Sequence, residues 1–208
     1  MSSAPIRVFA CSPRSNGNTD VMAHNFAQGV YAAGGSAEVT SLRDHAVLPC
    51  TACRHCAEEA DAGCRLAGRD NAETLFRQLE EAPLVCLVSP IFFYHLPAQL
   101  KCLIDRAQRY WVRRRRQVGS ALGRPVPPGR PGLVGLVAAR TRGEKLFDGS
   151  MLTLKYFFDL FDIRLVDGCQ LMGYDQPDAL ARDGAACMRL HELGVKAAAL
   201  VAEYAGRR

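Results

Sequence analysis

The chain has 208 residues, 49% hydrophobic and 23% charged, with a formal net charge of +5; that size and balance fit one globular domain with a substantial core. No apolar run approaches the roughly 20 residues that span a bilayer, and Met1–Pro5 is no signal peptide, so the sequence predicts a cytoplasmic protein without a membrane partner. The charge owes much to Arg113–Arg116 and suits anionic small molecules without pointing to nucleic acid.

The first predicted element is a short strand through Ile6, Val8, Phe9 and Ala10, followed by a polar loop and a helix whose buried face is Met22, Phe26 and Val30 at i, i+4 and i+8. A loop between a buried strand and a helix start is where α/β sheets hold anions, because the first helical N–H groups lack backbone partners and the dipole favours negative charge. Here Ser12, Ser15, Asn18 and Thr19 add hydroxyl or amide groups, Arg14 a cation, and Gly17 a close backbone approach. The set suits a single phosphate, although an ordinary capped turn has a similar composition. It is neither a Walker loop nor a G-x-G-x-x-G dinucleotide loop.

Gly34-Gly35 reads as a helix cap, Ala37–Leu42 as a second strand, and about 43–68 as a long cysteine-rich loop. A helix over Asn71–Glu81 buries Leu75, Phe76 and Leu79. Pro83–Val88 has the unbroken apolar character of a central parallel strand. A loop, Ser89-Pro90-Ile91-Phe92-Phe93-Tyr94-His95, leads into a helix with Leu96, Leu100, Leu103, Ile104 and Ala107 on one face. About 111–132 is expected to be a basic, Pro/Gly-rich, irregular excursion. Leu133–Val137 is a fourth strand, Ala138–Lys145 a loop, Leu146–Phe161 an aromatic helix, Arg164–Val166 the start of a fifth strand, and Asp178–Tyr204 a terminal helix.

Alternating β and α units without a repeat predict a single flavodoxin-like domain over 1–208. Its doubly wound sheet has five parallel strands in the order 2-1-3-4-5, with helices on both faces. In that order the loops after strands 1 and 3 flank the switch point. They are the phosphate-type loop and Ser89–His95, whose flat side chains can flank a ring or simply close the core. A phosphate pocket beside a ring slot describes FMN.

Nine cysteines, an odd number unevenly spaced, make a poor disulfide framework and a better metal or redox signal. Cys50-x2-Cys53-x2-Cys56 can present three thiolates to one face of a [4Fe–4S] cube, with Cys64 at the fourth corner. Zinc also accepts four thiolates, and four free thiols are a third reading. Cys86, Cys102, Cys169 and Cys187 sit in apolar contexts and read as buried small hydrophobes.

Ser12-Pro13-Arg14…Asn18-Thr19, Pro49-Cys50…Cys53…Cys56…Cys64 and Ser89-Pro90…Pro97-Ala98-Gln99-Leu100-Lys101…Ile104-Asp105-Arg106 occur in that order. Over the first 110 residues or so the chain thereby resembles the iron–sulfur flavoprotein branch of the NAD(P)H-dependent FMN reductase superfamily. The resemblance implies that Ser12, Arg14, Asn18 and Thr19 hold the FMN phosphate, that Ser89–Tyr94 line the flavin, and that Ala138–Gly143 closes on it from the other side through Ala139, Arg140, Arg142 and Gly143. It implies a homodimer or homotetramer, the cluster of one subunit near the FMN of another; Tyr110-Trp111 and the aromatics at Tyr156–Phe161 suit such an interface. Departures are Cys11 where glycine is common, and Arg65–Asp70 where an acidic cluster often follows the fourth cysteine.

Three functions follow as expectations. The first is an electron-transfer iron–sulfur flavoprotein between a donor such as NAD(P)H or ferredoxin and a small-molecule or protein acceptor. The second is a cluster-free NAD(P)H-dependent reductase of FMN or quinones, the basic excursion meeting a 2′-phosphate. The third is a flavin- or metal-binding module. In all three the flavin supplies the chemistry and no residue is a nucleophile; Arg140 and Arg142 are candidate cations near the ring, or solvated surface.

Overall fold

The computed structural model describes residues 4–58, 63–120 and 129–206. Its elements are β1 (Ile6–Ala10), α1 (Asn18–Ala32), β2 (Ala37–Ser41), α2 (His55–Glu58), α3 (Ala72–Glu81), β3 (Val85–Pro90), α4 (Ala98–Arg106), α5 (Gln108–Ser120), β4 (Arg130–Ala138), α6 (Asp148–Asp159), β5 (Ile163–Met172) and α7 (Gly184–Ala205). The strands form one parallel sheet in the order β2-β1-β3-β4-β5, the flavodoxin-like arrangement expected from the alternation of units.

The hydrophobic pattern explains the layering. β3 and β4 are apolar along almost their whole length because helices cover both faces. Met22, Phe26 and Val30 of α1 pack with Leu190 and Leu193 of α7 on one face. Leu75, Phe76 and Leu79 of α3, with Leu100, Leu103, Phe157 and Phe158, cover the other. α1 and α7 touch backbone to backbone: a Cβ at Gly29 would lie 1.9 Å from the His191 carbonyl oxygen, and one at Gly194 2.0 Å from that of Phe26. Gly34, at φ +75°, ends α1 in the left-handed conformation that glycine tolerates.

Four expectations change. Arg113–Arg116 lies on helix α5, not in an irregular excursion. Tyr110 anchors that helix in the core beside Phe76 and Phe161, with ring centroids 5.2 and 4.5 Å away, while the arginines pair outward. The rest of the expected excursion up to Gly129 begins with residues 121–128, which lie outside the described residues; Arg130 already opens β4. The terminal helix starts at Gly184 instead of Asp178, where Asp183 caps it by accepting from the Ala186 N–H at 2.9 Å. Of the aromatics on and after α6, Phe157, Phe158 and Phe161 are core and Tyr156 is exposed. Finally, Cys86 is buried, but Cys102, Cys169 and Cys187 are only partly so. Among the described residues no helix is long and apolar enough to cross a membrane.

Candidate functional site

Two cavities gather the residues that the sequence singles out. The first opens at the carboxyl ends of β1 and β3. Ser12, Arg14, Gly17, Asn18 and Thr19 line one side of a space of about 90 Å³, and Pro90, Ile91 and Phe92 line the other, with Val137 and Ala139 at the end of β4. The space is small and lies against the start of α1, where an anionic group is favoured. Gly17 is the N-cap of α1 and its position carries no side-chain cap; the Asp20 N–H donates to the Gly17 carbonyl at 2.9 Å, which leaves the Asn18 and Thr19 amides to face an anion. The Ser12 hydroxyl accepts from the Arg14 N–H at 3.1 Å and shapes the turn. Asn16, at φ 54°, donates its N–H to Asp20 at 2.6 Å, and Asp20 pairs with Arg43 at 2.9 Å.

Asn18 lines the crevice, and its side chain is bonded within the fold. Its amide donates to the Tyr174 and Gln176 carbonyls at 2.9 and 2.8 Å, and its oxygen accepts from the Leu180 N–H at 3.0 Å. It therefore ties the segment after β5 to the start of α1. That segment supplies Tyr174 and Asp175 to the cavity wall, two lining residues that the sequence reading missed. The Tyr174 hydroxyl donates to Asp183 at 2.7 Å, and burial with that carboxylate pushes its pKa up to about 12. Ser15 is exposed away from this wall. Ser89 is fully buried, its hydroxyl donating to the Pro90 carbonyl at 3.0 Å, so its contribution is to the shape of the strand end.

The loop after β3 is a two-residue turn closed by reciprocal bonds between Phe92 and His95, at 2.8 and 2.9 Å. Phe93 and Tyr94 both have positive φ, 49° and 64°, the pattern of a type I′ turn. Bulky residues there cost on the order of 1–3 kcal/mol each, and such strain concentrates at functional sites. The turn leaves Phe92 on the cavity, projects Phe93 fully into solvent (102% exposed) and lays Tyr94 against the next loop. A Cβ at Gly143 would sit 3.1 Å from the Tyr94 hydroxyl, and Arg140 stacks 5.5 Å from its ring centroid. Arg140 Nε also donates to the Arg142 carbonyl at 3.3 Å. The two loops do meet across the crevice, but both arginines are exposed, and Arg140 is engaged with Tyr94. His95 shares a 3.2 Å hydrogen bond with Thr153.

The second cavity, of about 420 Å³, is lined by Cys50, Cys53, Cys56 and Cys64, with Arg106 and Trp111 from α4 and α5 behind them. Ala52 and Arg54 are in the left-handed region, φ 51° and 62°. These alternating reversals turn Cys50, Cys53 and Cys56 to the same space. Burial raises the Cys56 thiol, and Cys64, Cys50 and Cys53 raise it further. Cys53 is exposed and its thiol is held below the usual range chiefly by the His55 N–H. Among the described residues no three Cys, His, Asp or Glu side chains converge to hold a single ion. The sulfurs surround a space.

Comparison with known proteins points to a flavoprotein family. The family model for NADPH-dependent FMN reductase matches residues 5–144. An iron-sulfur flavoprotein of Methanocaldococcus jannaschii is 33% identical over 113 residues, covering 53% of this chain and 56% of that protein. One of Archaeoglobus fulgidus is 29% identical over 99 residues, covering 48% and 43%. The chain thus spans about half the length of the curated relatives it matches. Among solved structures, a flavone reductase superposes with a TM-score of 0.69 at 13% identity, covering 96% of this chain and 64% of that one; at that identity the likeness concerns the fold.

Proposed function

Since the chain belongs to the NADPH-dependent FMN reductase family, we propose that it is an FMN-binding oxidoreductase of the iron–sulfur flavoprotein kind, passing electrons between a reduced donor such as NAD(P)H or ferredoxin and an acceptor. The observation that carries the reading is the pairing of two sites in one domain: a small crevice at an uncapped helix start, and a separate cavity ringed by four cysteines.

Arg14, Thr19, Ser12 and the first amides of α1 would hold the FMN phosphate, and Phe92 and Ile91 would flank the ring. Bound flavin supplies hydride and single-electron chemistry. The chain's part is to bind and orient. Backbone N–H groups beside a bound flavin would favour its more anionic reduced form, Asn18 fixes the Tyr174–Asp175 wall, and the Tyr94–Gly143 contact closes the opposite side. Cys50, Cys53, Cys56 and Cys64 would hold the cluster.

A second reading, a cluster-free NAD(P)H-dependent reductase, draws on the basic stretch as a 2′-phosphate site. The arginines are engaged elsewhere: Arg113 with Glu80 at 3.5 Å, Arg114 with Asp162 at 2.5 Å, Arg115 over the Trp111 ring, and Arg116 with the Ala57 carbonyl. That favours the first reading. The protein is further proposed to work as a homodimer or homotetramer. In support, Tyr156 of α6 and Trp111 of α5 stand exposed around a groove that shares Trp111 with the cysteine cavity.

Anaerobically purified protein assayed for FMN, iron and acid-labile sulfide tests the proposal. One FMN with four iron and four sulfide per chain, about, is the expected result, as a [4Fe–4S] cluster requires. FMN without iron would select the second reading, and neither would reject both.

A further inference from the structure

Arg106 heads the fully buried side chains of this molecule; its side chain is 0% exposed and that of its partner Asp70 is 1%. A buried guanidinium persists only when its charge and its N–H groups are matched. Asp70 provides most of the match. Fixed by the Leu48 and Ala72 N–H groups at 2.8 and 3.1 Å, it accepts from Arg106 Nη1 at 2.5 Å and Nη2 at 3.5 Å. Nη1 also donates to the Leu48 carbonyl at 3.2 Å. The third nitrogen, Nε, is buried and has no hydrogen-bond partner.

The guanidinium lines the four-cysteine cavity. Cys64 lines the same cavity. A core arginine with one donor left open beside a thiol is a poor solution for packing alone. An apolar side chain of the same size would cover Asp70's neighbours without stranding an N–H.

We infer that Arg106 is a positioning residue for the thiolate centre, oriented by Asp70 so that its Nε–H donates to the Cys64 sulfur when that sulfur carries iron. This rests on the proposal that the four cysteines hold an iron–sulfur cluster. It assigns a role to the Asp70–Arg106 pair, which the family resemblance leaves without one. A four-thiolate cluster is anionic and becomes more so on reduction; a fixed cation and an N–H···S bond therefore stabilise its reduced form more than its oxidised form and raise its potential.

The test uses the full chain, loaded anaerobically with ferrous iron and sulfide, as wild type, Arg106→Lys and the paired Asp70→Asn/Arg106→Gln. The pair removes both charges together and so strands neither. The expected result is unchanged FMN content and circular dichroism, with cluster reduction about tenfold less favourable in the paired variant, a midpoint about 59 mV lower for one electron. In wild type labelled with 15N in the arginine guanidinium, pulsed EPR of the reduced cluster should show a 15N coupling that Arg106→Lys abolishes. A loaded wild type without that coupling overturns the inference whether or not the variants fold, as does a folded, loaded paired variant with the wild-type potential. A wild type that takes up no iron removes the cluster proposal itself, and this inference with it.

Discussion

Replacing Asn18 with alanine distinguishes a residue that holds the cofactor from one that holds the wall around it. The side chain makes three hydrogen bonds, to the Tyr174 and Gln176 carbonyls and from the Leu180 N–H, at 2.8–3.0 Å. At about 1 kcal/mol net for each bond, its loss should destabilise the domain by about 3 kcal/mol. For a chain of this length that corresponds to a fall in Tm of about 6–12 °C. Hydrogen exchange should accelerate most over 174–182, the segment the amide ties down. Preference for FMN over riboflavin should survive, because the phosphate donors remain. Arg14→Ala should behave in the opposite way: removing a charge-assisted bond worth about 1.5–3 kcal/mol should weaken FMN by about 10- to 100-fold and leave riboflavin and Tm nearly unchanged. Calorimetric titration with both flavins, beside thermal melts, reads each quantity separately. An Asn18→Ala protein with an unaltered melt and no preference for FMN would refute the assignment and return the amide to the phosphate.

Three further outcomes are expected. Gly194→Ala should lower stability by about 1–3 kcal/mol despite the better helix propensity of alanine, since the new Cβ meets the Phe26 carbonyl at 2.0 Å; a denaturant midpoint equal to wild type would contradict the close α1–α7 contact. Burial raises the Asp70 pKa, but the Leu48 and Ala72 N–H groups and Arg106 outweigh it and hold it below its ordinary value. Its contribution is therefore present above the unfolded value of about 3.9 and is lost as pH falls from about 5 toward the folded value. Asp70→Asn should flatten that acid limb in denaturant titrations and cost about 3–5 kcal/mol at pH 7, because Arg106 is left unpaired; an unchanged acid limb would count against the pair. Trp111→Glu should dissociate the oligomer in sedimentation while FMN stays bound, and a wild type that sediments as a monomer at all working concentrations would defeat the proposed assembly.

Much of the architecture was legible in the chain because it is written in local periodicity. Met22, Phe26 and Val30 on one helical stripe, and the unbroken Val85–Val88 run, predict a helix against a doubly covered strand. The order of such units leads to the 2-1-3-4-5 sheet and to the crevice between the loops after β1 and β3. The spacing of Cys50, Cys53 and Cys56 likewise announces a shared face before any coordinates. Other features have no local signal. Asn18 meets Tyr174 and Gln176 across 156 and 158 residues, and Arg106 meets Asp70 across 36; which polar group satisfies which is decided only when the sheet brings their elements together. Arg113–Arg116 looks like a loop by charge, yet α5 forms because Tyr110 is locked between Phe76 and Phe161, a packing gain that intrinsic preference does not contain. The same holds for Phe93 and Tyr94. Aromatic side chains disfavour positive φ, and only the closure of Phe92 onto His95 at the strand end places them there. The sequence determined the order of elements and the donor types at the two cavities, through patterns a few residues long. Tertiary structure decided which donors line the cavities and which are taken up by the fold, because hydrogen-bond satisfaction in a buried site depends on neighbours that the chain supplies from far away.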